Sequence, residues 1–218
     1  MQDQDFGAVV GRFAVIPTST LSDVLDSLGL QGVLTGIHAV APDMKVVGPA
    51  VTVKEVSGSL GSYPLEDFRV GDMIQEAGRG DVLVVDNGGE CLSTCGFLAS
   101  FSSKVKGIAG IVVDGGVRDV QRISEIGFPV FTRHIVPLSG KRRIKIESFN
   151  TTISIENVRI EPGDIIVGDD TGVVVVPAKR SKEILQEAER LERLEEENIP
   201  LVKPGVSLSE LSRKHKHL

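Results

Sequence analysis

The chain has no tryptophan, and aromatic residues make up only 4% of it. Val, Ile and Leu therefore have to build the interior. Cysteine is almost as scarce: Cys91 and Cys95 are the two. A Cys-x-x-x-Cys pair without further cysteines or a nearby histidine makes a poor zinc site. Free thiols in a reducing compartment are the expected state. Basic charge is not in excess, with a net charge of −6 and a pI near 5.3. That argues against a nucleic-acid binder, which would carry a basic face. The cluster Lys141-Arg142-Arg143 reads as a solvated turn, and the basic run at 213–217 as a terminal tail. No apolar run approaches the roughly 18 residues that span a bilayer. The start, Met1-Gln2-Asp3-Gln4-Asp5, has no signal-peptide character. The expectations are no nucleic acid, no membrane and a cytoplasmic location.

What is abundant is glycine, at 24 residues, alongside an ordinary 41% hydrophobic and 25% charged content. The 218 residues suffice for a real core. No polar linker divides the chain, so 1–218 reads as a single domain.

One stretch organises the rest. Residues 107–113 form an apolar run bounded by glycine, which predicts a strand buried on both faces. Asp114-Gly115-Gly116 reads as the tight turn that ends it. Helical spacing from Val117 to Glu125 then puts Arg118 and Asp119 on the first helical turn, at the carboxyl end of a parallel strand. Ligands bind at that edge of open α/β sheets. A guanidinium beside a carboxylate can hold an anionic substrate next to a divalent metal. Asp81–Asp86 followed by Asn87-Gly88-Gly89 repeats the pattern. A small-residue helix at 95–105 joins the two strands into a βαβ unit. The free N–H groups at its start would face the gap beside Arg118.

Around this unit, Ser19 or Thr20 is positioned to cap a helix through Leu28. Residues 45–56 read as a strand with Val51, Val53 and Val56 inward and Thr52 and Lys54 outward. A Gly/Ser-rich loop covers 57–65 and a helix 66–80. Another short strand covers 128–131. Short strands at 143–147, 152–156, 164–167 and 173–176 suggest an antiparallel meander. Ala178–Asn198 is the clearest helix, ending in Glu195-Glu196-Glu197, a solvated acidic face or a group reaching a neighbouring subunit's site.

These residues resemble the RraA-like proteins, which include metal-dependent 4-hydroxy-4-methyl-2-oxoglutarate aldolases. The resemblance is carried, in family order, by Leu21–Asp26, Val47–Val53, Gly80–Asp86, Val113–Asp119 and Gly168–Pro177. It implies an α/β fold: a layered α/β/β sandwich of the swivelling-domain type, with a central βαβ unit and a C-terminal helix. It also implies a homotrimer or dimer of trimers with sites near subunit boundaries. The family's aldolase signature is an acid, twenty residues, then Arg-Asp. By that resemblance Arg118 binds a small 2-oxo acid substrate and Asp119 ligates Mg²⁺ or Mn²⁺. Gly96, Phe97, Leu98 and Ala99 supply the substrate-binding backbone. The activity implied is that of a class II, metal-dependent aldolase or oxaloacetate decarboxylase. Phe97 stands where the aldolases carry the acid. Glu90 or Asp86 could replace it, as could an acid such as Glu196 from a neighbouring chain; otherwise aldolase activity is lost. The alternative is a non-catalytic regulator binding a protein partner such as a ribonuclease, a branch that lacks the acid of the Arg-Asp pair. A menaquinone methyltransferase, another label the family carries, lacks support in any cofactor-binding glycine loop.

Overall fold

The β-branched runs become strands in the computed structural model, which describes residues 2–202 and residue 209. The first half contains α1 (Gln2–Arg12), α2 (Thr18–Ser27), β1 (His38–Ala39), β2 (Val46–Ser57), α3 (Val70–Glu76), β3 (Val82–Asp86), β4 (Ser93–Cys95) and α4 (Phe97–Lys106). The second contains β5 (Gly110–Val117), α5 (Val120–Glu125), β6 (Val130–Ile135), β7 (Ile144–Phe149), β8 (Ile153–Ile155), β9 (Val158–Ile160), β10 (Ile165–Asp169), β11 (Gly172–Val176) and α6 (Ser181–Asn198). The basic run at 213–217 lies outside the described residues.

The main sheet runs β1-β6-β5-β3-β2-β10-β11, with β4 attached to β5 and β7 to β2. Strands β6, β5, β3 and β2 are mutually parallel. The later strands do not form the simple meander that their spacing suggests. The twelve-residue β2 is long enough to take β10 along Val46–Pro49 and β7 along Val53–Ser57, both antiparallel. Strands β8 and β9 make a separate hairpin. One apolar cluster fills the space around the parallel strands. A second lies between α1, α2 and α6 on one side and β10 and β11 on the other. The result is the layered α/β architecture expected, with α6 in the helical layer.

Several local expectations are corrected. Asp114-Gly115-Gly116 is not a turn but the interior of β5, which continues to Val117 because β4 and β6 pair with its end. The glycine at 116 serves close packing: a Cβ there would lie 2.5 Å from Val136 and 2.8 Å from the Leu92 carbonyl oxygen. Thr52 is fully buried rather than outward-facing, since β2 is central and covered on both sides. The helix expected at 66–80 shrinks to α3, preceded by a short 3-10 turn at Leu65–Asp67. The strand at 128–131 is β6, shifted to start at Val130, and α6 starts at Ser181 after another 3-10 turn. α1 was not anticipated.

Helix α2 starts at Thr18, and neither Ser19 nor Thr20 caps it. The cap comes from 151 residues away. Asp169, at the end of β10, accepts the Thr18 N–H at 2.9 Å and the Thr18 hydroxyl at 2.7 Å. It also accepts the Thr171 N–H. Burial pushes the Asp169 carboxyl up, but these donors outweigh it and hold the group below the ordinary carboxylate value. The cap thus ties the helical layer to the sheet. Asp169→Ala should lower unfolding free energy by about 1–2 kcal/mol, read from urea denaturation midpoints. An unchanged midpoint would show that the long-range cap contributes nothing.

Candidate active site at the β5–α5 corner

Strand β5 delivers Arg118 and Asp119 beyond its last residue, at the carboxyl edge of the parallel strands. Asp119 is not in the first helical turn. It is the residue before α5, held at φ 60°. Aspartate tolerates that left-handed conformation better than most side chains. The kink turns its carboxylate toward the start of α4. There Asp119 Oδ2 accepts the Phe97 N–H at 3.1 Å. The Arg118 Nε lies 3.9 Å from the same oxygen, and both side chains remain about two-fifths exposed. Gly96 makes this approach possible: a Cβ there would sit 2.5 Å from Asp119 Oδ2 and 2.9 Å from Arg118 Cγ. The Arg118 N–H in turn donates to the Cys95 carbonyl at 3.2 Å.

The corner opens into a cavity of about 480 Å³. All the expected residues of this chain's own site line it: Gly96, Phe97, Leu98, Ala99, Arg118 and Asp119. The sequence reading missed others. Phe68, Val70 and Ile74 give an apolar wall, Thr94 and Cys95 border the base of the Arg-Asp pair, and Lys141 and Arg122 add positive charge. Lys141 lies in the exposed turn expected for it, and that turn borders the cavity.

Position 97 has its own arrangement. The Phe97 ring stacks on Phe101, with centroids 5.8 Å apart and planes 20° from parallel. The Arg122 guanidinium sits over the Phe97 ring at 3.6 Å. A cation held on an aromatic face occupies this spot, and neither partner can accept a proton near pH 7.

None of the residues offered as substitutes for the missing acid lines the cavity within one chain. Glu90 and Glu196 are exposed elsewhere, the latter on α6. Asp86 is buried and occupied. It stands in register between Lys54 on β2 and Asp114 on β5. Lys54 donates to it at 2.7 Å, and Arg133 donates to Asp114 at 2.6 Å. The repeated pattern of apolar run, aspartate and glycines thus builds a row of two carboxylates flanked by two cations. That row is structural.

Among the described residues lining the cavity, Asp119 is the single carboxylate. Among the described residues, no three His, Cys, Asp or Glu side chains converge on one point. Such a donor set does not suit structural zinc. It does suit Mg²⁺, which commonly takes one or two carboxylates and keeps water and substrate oxygens for its other positions. Cys95 is buried, which pushes its thiol up to about 12.

The family model for RraA-like proteins (Aldolase/RraA) matches residues 18–175. The chain belongs to the RraA-like family. A relative from Halalkalibacterium halodurans, named "Putative 4-hydroxy-4-methyl-2-oxoglutarate aldolase", is 36% identical over 182 residues, covering 83% of this chain and 82% of its own. An uncharacterised protein from Pseudomonas syringae pv. tomato has a solved structure similar at a TM-score of 0.83 and 29% identity, over 94% of this chain and 96% of that one. A Streptomyces coelicolor structure, described as an unusual member of the RNase ES inhibitor RraA protein family, is similar at a TM-score of 0.78 and 32% identity. It spans 87% of this chain and 94% of its own. The RraA-like family thus includes relatives named for lyase chemistry and others named for inhibiting a ribonuclease. No single helix among the described residues is long and apolar enough to cross a membrane.

Behind Thr94 lies a group that the sequence reading passed over. Glu55 is 2% exposed, and Thr94 donates to its Oε2 at 2.6 Å. Its other oxygen has no partner. A signal was there: Val51 and Val53 face inward, and strict alternation carries Glu55 onto the same side. Burial raises the Glu55 carboxyl from the ordinary 4.5 to about 8, opposed by the Thr94 bond and assisted by Asp86. A carboxyl neutral in the fold but ionised when unfolded favours the fold fully below the unfolded value, and that contribution is lost as pH rises toward the folded value. Stability should therefore fall between pH 4.5 and about 8, with a slope of up to about 1.4 kcal/mol per pH unit. Glu55→Gln should flatten that slope in urea titrations across the range; equal slopes in both proteins would contradict a neutral Glu55.

Proposed function

We propose that the protein is a divalent-metal-dependent carbon–carbon lyase acting on a short 2-oxo acid, and that cleavage leaves a pyruvate enolate. The observation that carries this reading is the Arg118–Asp119 pair, held at a sheet edge beside free helix N–H groups and open to a cavity of substrate size. Arg118 pairs with the substrate carboxylate and stabilises the negative charge that develops on the enolate oxygen. The first-turn N–H groups of Leu98 and Ala99 in α4 add partial positive charge on the same side. Asp119 would hold Mg²⁺ or Mn²⁺. The bound ion would supply Lewis-acid polarisation of the 2-oxo group. The apolar wall of Phe68, Val70 and Ile74 excludes water, which strengthens these charge interactions.

Phe97 decides between two reactions of this class. Retro-aldol cleavage of 4-hydroxy-4-methyl-2-oxoglutarate needs a base for the distant hydroxyl. Decarboxylation of oxaloacetate reaches the same enolate without one. With Phe97 and Arg122 stacked where the acid would stand, the cavity favours decarboxylation. An acid from a neighbouring chain, such as Glu196, would restore the aldol reaction. The same reading takes the protein as a homotrimer or dimer of trimers. It is supported by the exposed Leu98, Phe101 and Val105 on α4, an apolar face beside the cavity that a second copy would cover.

Pyruvate release from oxaloacetate should require Mg²⁺ or Mn²⁺ and stop on chelation. Arg118→Ala should lower kcat/KM by on the order of 100-fold or more, and Asp119→Asn should weaken metal activation. Full activity in Arg118→Ala would sink the assignment.

A further inference from the structure

Glu55 is a carboxyl buried in an enzyme core with one oxygen lacking any partner. Its other oxygen accepts from the hydroxyl of Thr94, a residue of the cavity wall that is itself 1% exposed. A buried polar atom left unpartnered lowers stability, so a purely structural strand position would favour an apolar residue. The surroundings explain neither its presence nor a salt-bridge role. On β7 the residue in register is Ile146. On β3 the nearest ionisable group is Asp86, which repels a charged Glu55 and is itself committed to Lys54. On β4 the neighbours are Thr94 and Cys95, and the field of Glu55 reaches the Cys95 thiol together with those of Arg118 and Asp119. Glu55 thus lies behind the Thr94–Cys95 wall, and the Arg-Asp pair lies in front of it.

We propose that Glu55 and Thr94 form a buried proton relay that delivers the proton quenching the enolate formed in the cavity. This rests on the reading of the site as enolate-forming. When the enolate becomes pyruvate, one C–H bond forms at its terminal carbon. The Thr94 hydroxyl, which donates to Glu55 Oε2 at rest, turns its proton to that carbon and delivers it, while Glu55 donates its carboxyl proton to the Thr94 oxygen in exchange. Glu55 is left as a carboxylate, and a proton from cavity water returns to it through Thr94 once the product has left. No oxidant or further reactant is needed. The ordinary obstacle to such a donor is that a glutamic acid loses its proton well below neutral pH, and burial removes that obstacle here. Glu55 touches no substrate and acts through Thr94, while Thr94 is the group at the cavity surface.

The test uses the partial reaction rather than a particular lyase substrate. The full chain is incubated with pyruvate and Mg²⁺ in D₂O, and exchange of the pyruvate methyl hydrogens is followed by NMR. Wild type should exchange. Glu55→Gln and Thr94→Val should each slow exchange by on the order of 100-fold, with oxalate affinity changed less than about twofold. Thr94→Ser should restore the rate. In parallel, infrared spectra near neutral pH should show the C=O stretch of a neutral carboxyl in wild type that Glu55→Gln lacks. Exchange by Glu55→Gln at the wild-type rate, or the absence of that band from wild type, would overturn the relay. A wild type that shows the band but neither exchanges pyruvate nor binds oxalate would instead overturn the lyase reading, and the relay's role with it.

Discussion

The site depends on one contact across 22 residues: the Phe97 N–H donating to the Asp119 carboxylate. It joins the first turn of α4 to the corner where β5 becomes α5. Everything placed around it follows from making that contact short. Position 96 has to be glycine, because any Cβ would strike the Asp119 and Arg118 side chains. Asp119 has to accept a left-handed backbone to bring its carboxylate round. The Arg118 N–H then reaches the Cys95 carbonyl, which sets β4 beside β5 and brings Thr94 to the cavity. An arginine, a carboxylate and a set of unpaired helix N–H groups are thereby held together before any substrate arrives. That preorganisation is what stabilising a developing oxyanion requires.

Phe97 shapes what such a site can do. The backbone N–H at 97 donates to Asp119, and the side chain joins a stack with Phe101 and the Arg122 guanidinium. A cation–π pair fixes Arg122 without offering proton transfer. The cavity wall therefore carries three cations, Arg118, Lys141 and Arg122, alongside apolar residues. Enolate stabilisation fits such a place. Removal of a proton from a remote hydroxyl does not, unless a buried group or a neighbouring subunit supplies the base.

Much of this was legible in the residues. The strands at β3 and β5 are continuous apolar runs, and their burial on both faces made them visible. The Arg118–Asp119 pair and the small-residue helix before it were placed correctly at one sheet edge. What was not legible depended on contacts distant in sequence. Asp114-Gly115-Gly116 looks like a turn because glycine pairs usually are, yet here they let Leu92 and Val136 pack onto a continuing strand. The cap of α2 comes from Asp169, which no local rule could select over Ser19 or Thr20. Lys141 is exposed in a turn, as its sequence suggests, and only the fold shows that this turn borders the cavity. Glu55 was missed because Val56 was placed inward, although alternation from Val51 and Val53 selects position 55.

The central claim is that the Arg118–Asp119 corner forms an enolate while position 97 lacks the base for retro-aldol cleavage. The most direct measurement is the ratio of pyruvate release from oxaloacetate to that from 4-hydroxy-4-methyl-2-oxoglutarate, with Mg²⁺, in wild type and in Phe97→Asp. The account predicts a wild type that strongly favours oxaloacetate and a substitution that shifts the ratio toward the aldol substrate. Equal turnover of both substrates in wild type, unaltered by Phe97→Asp, would contradict it.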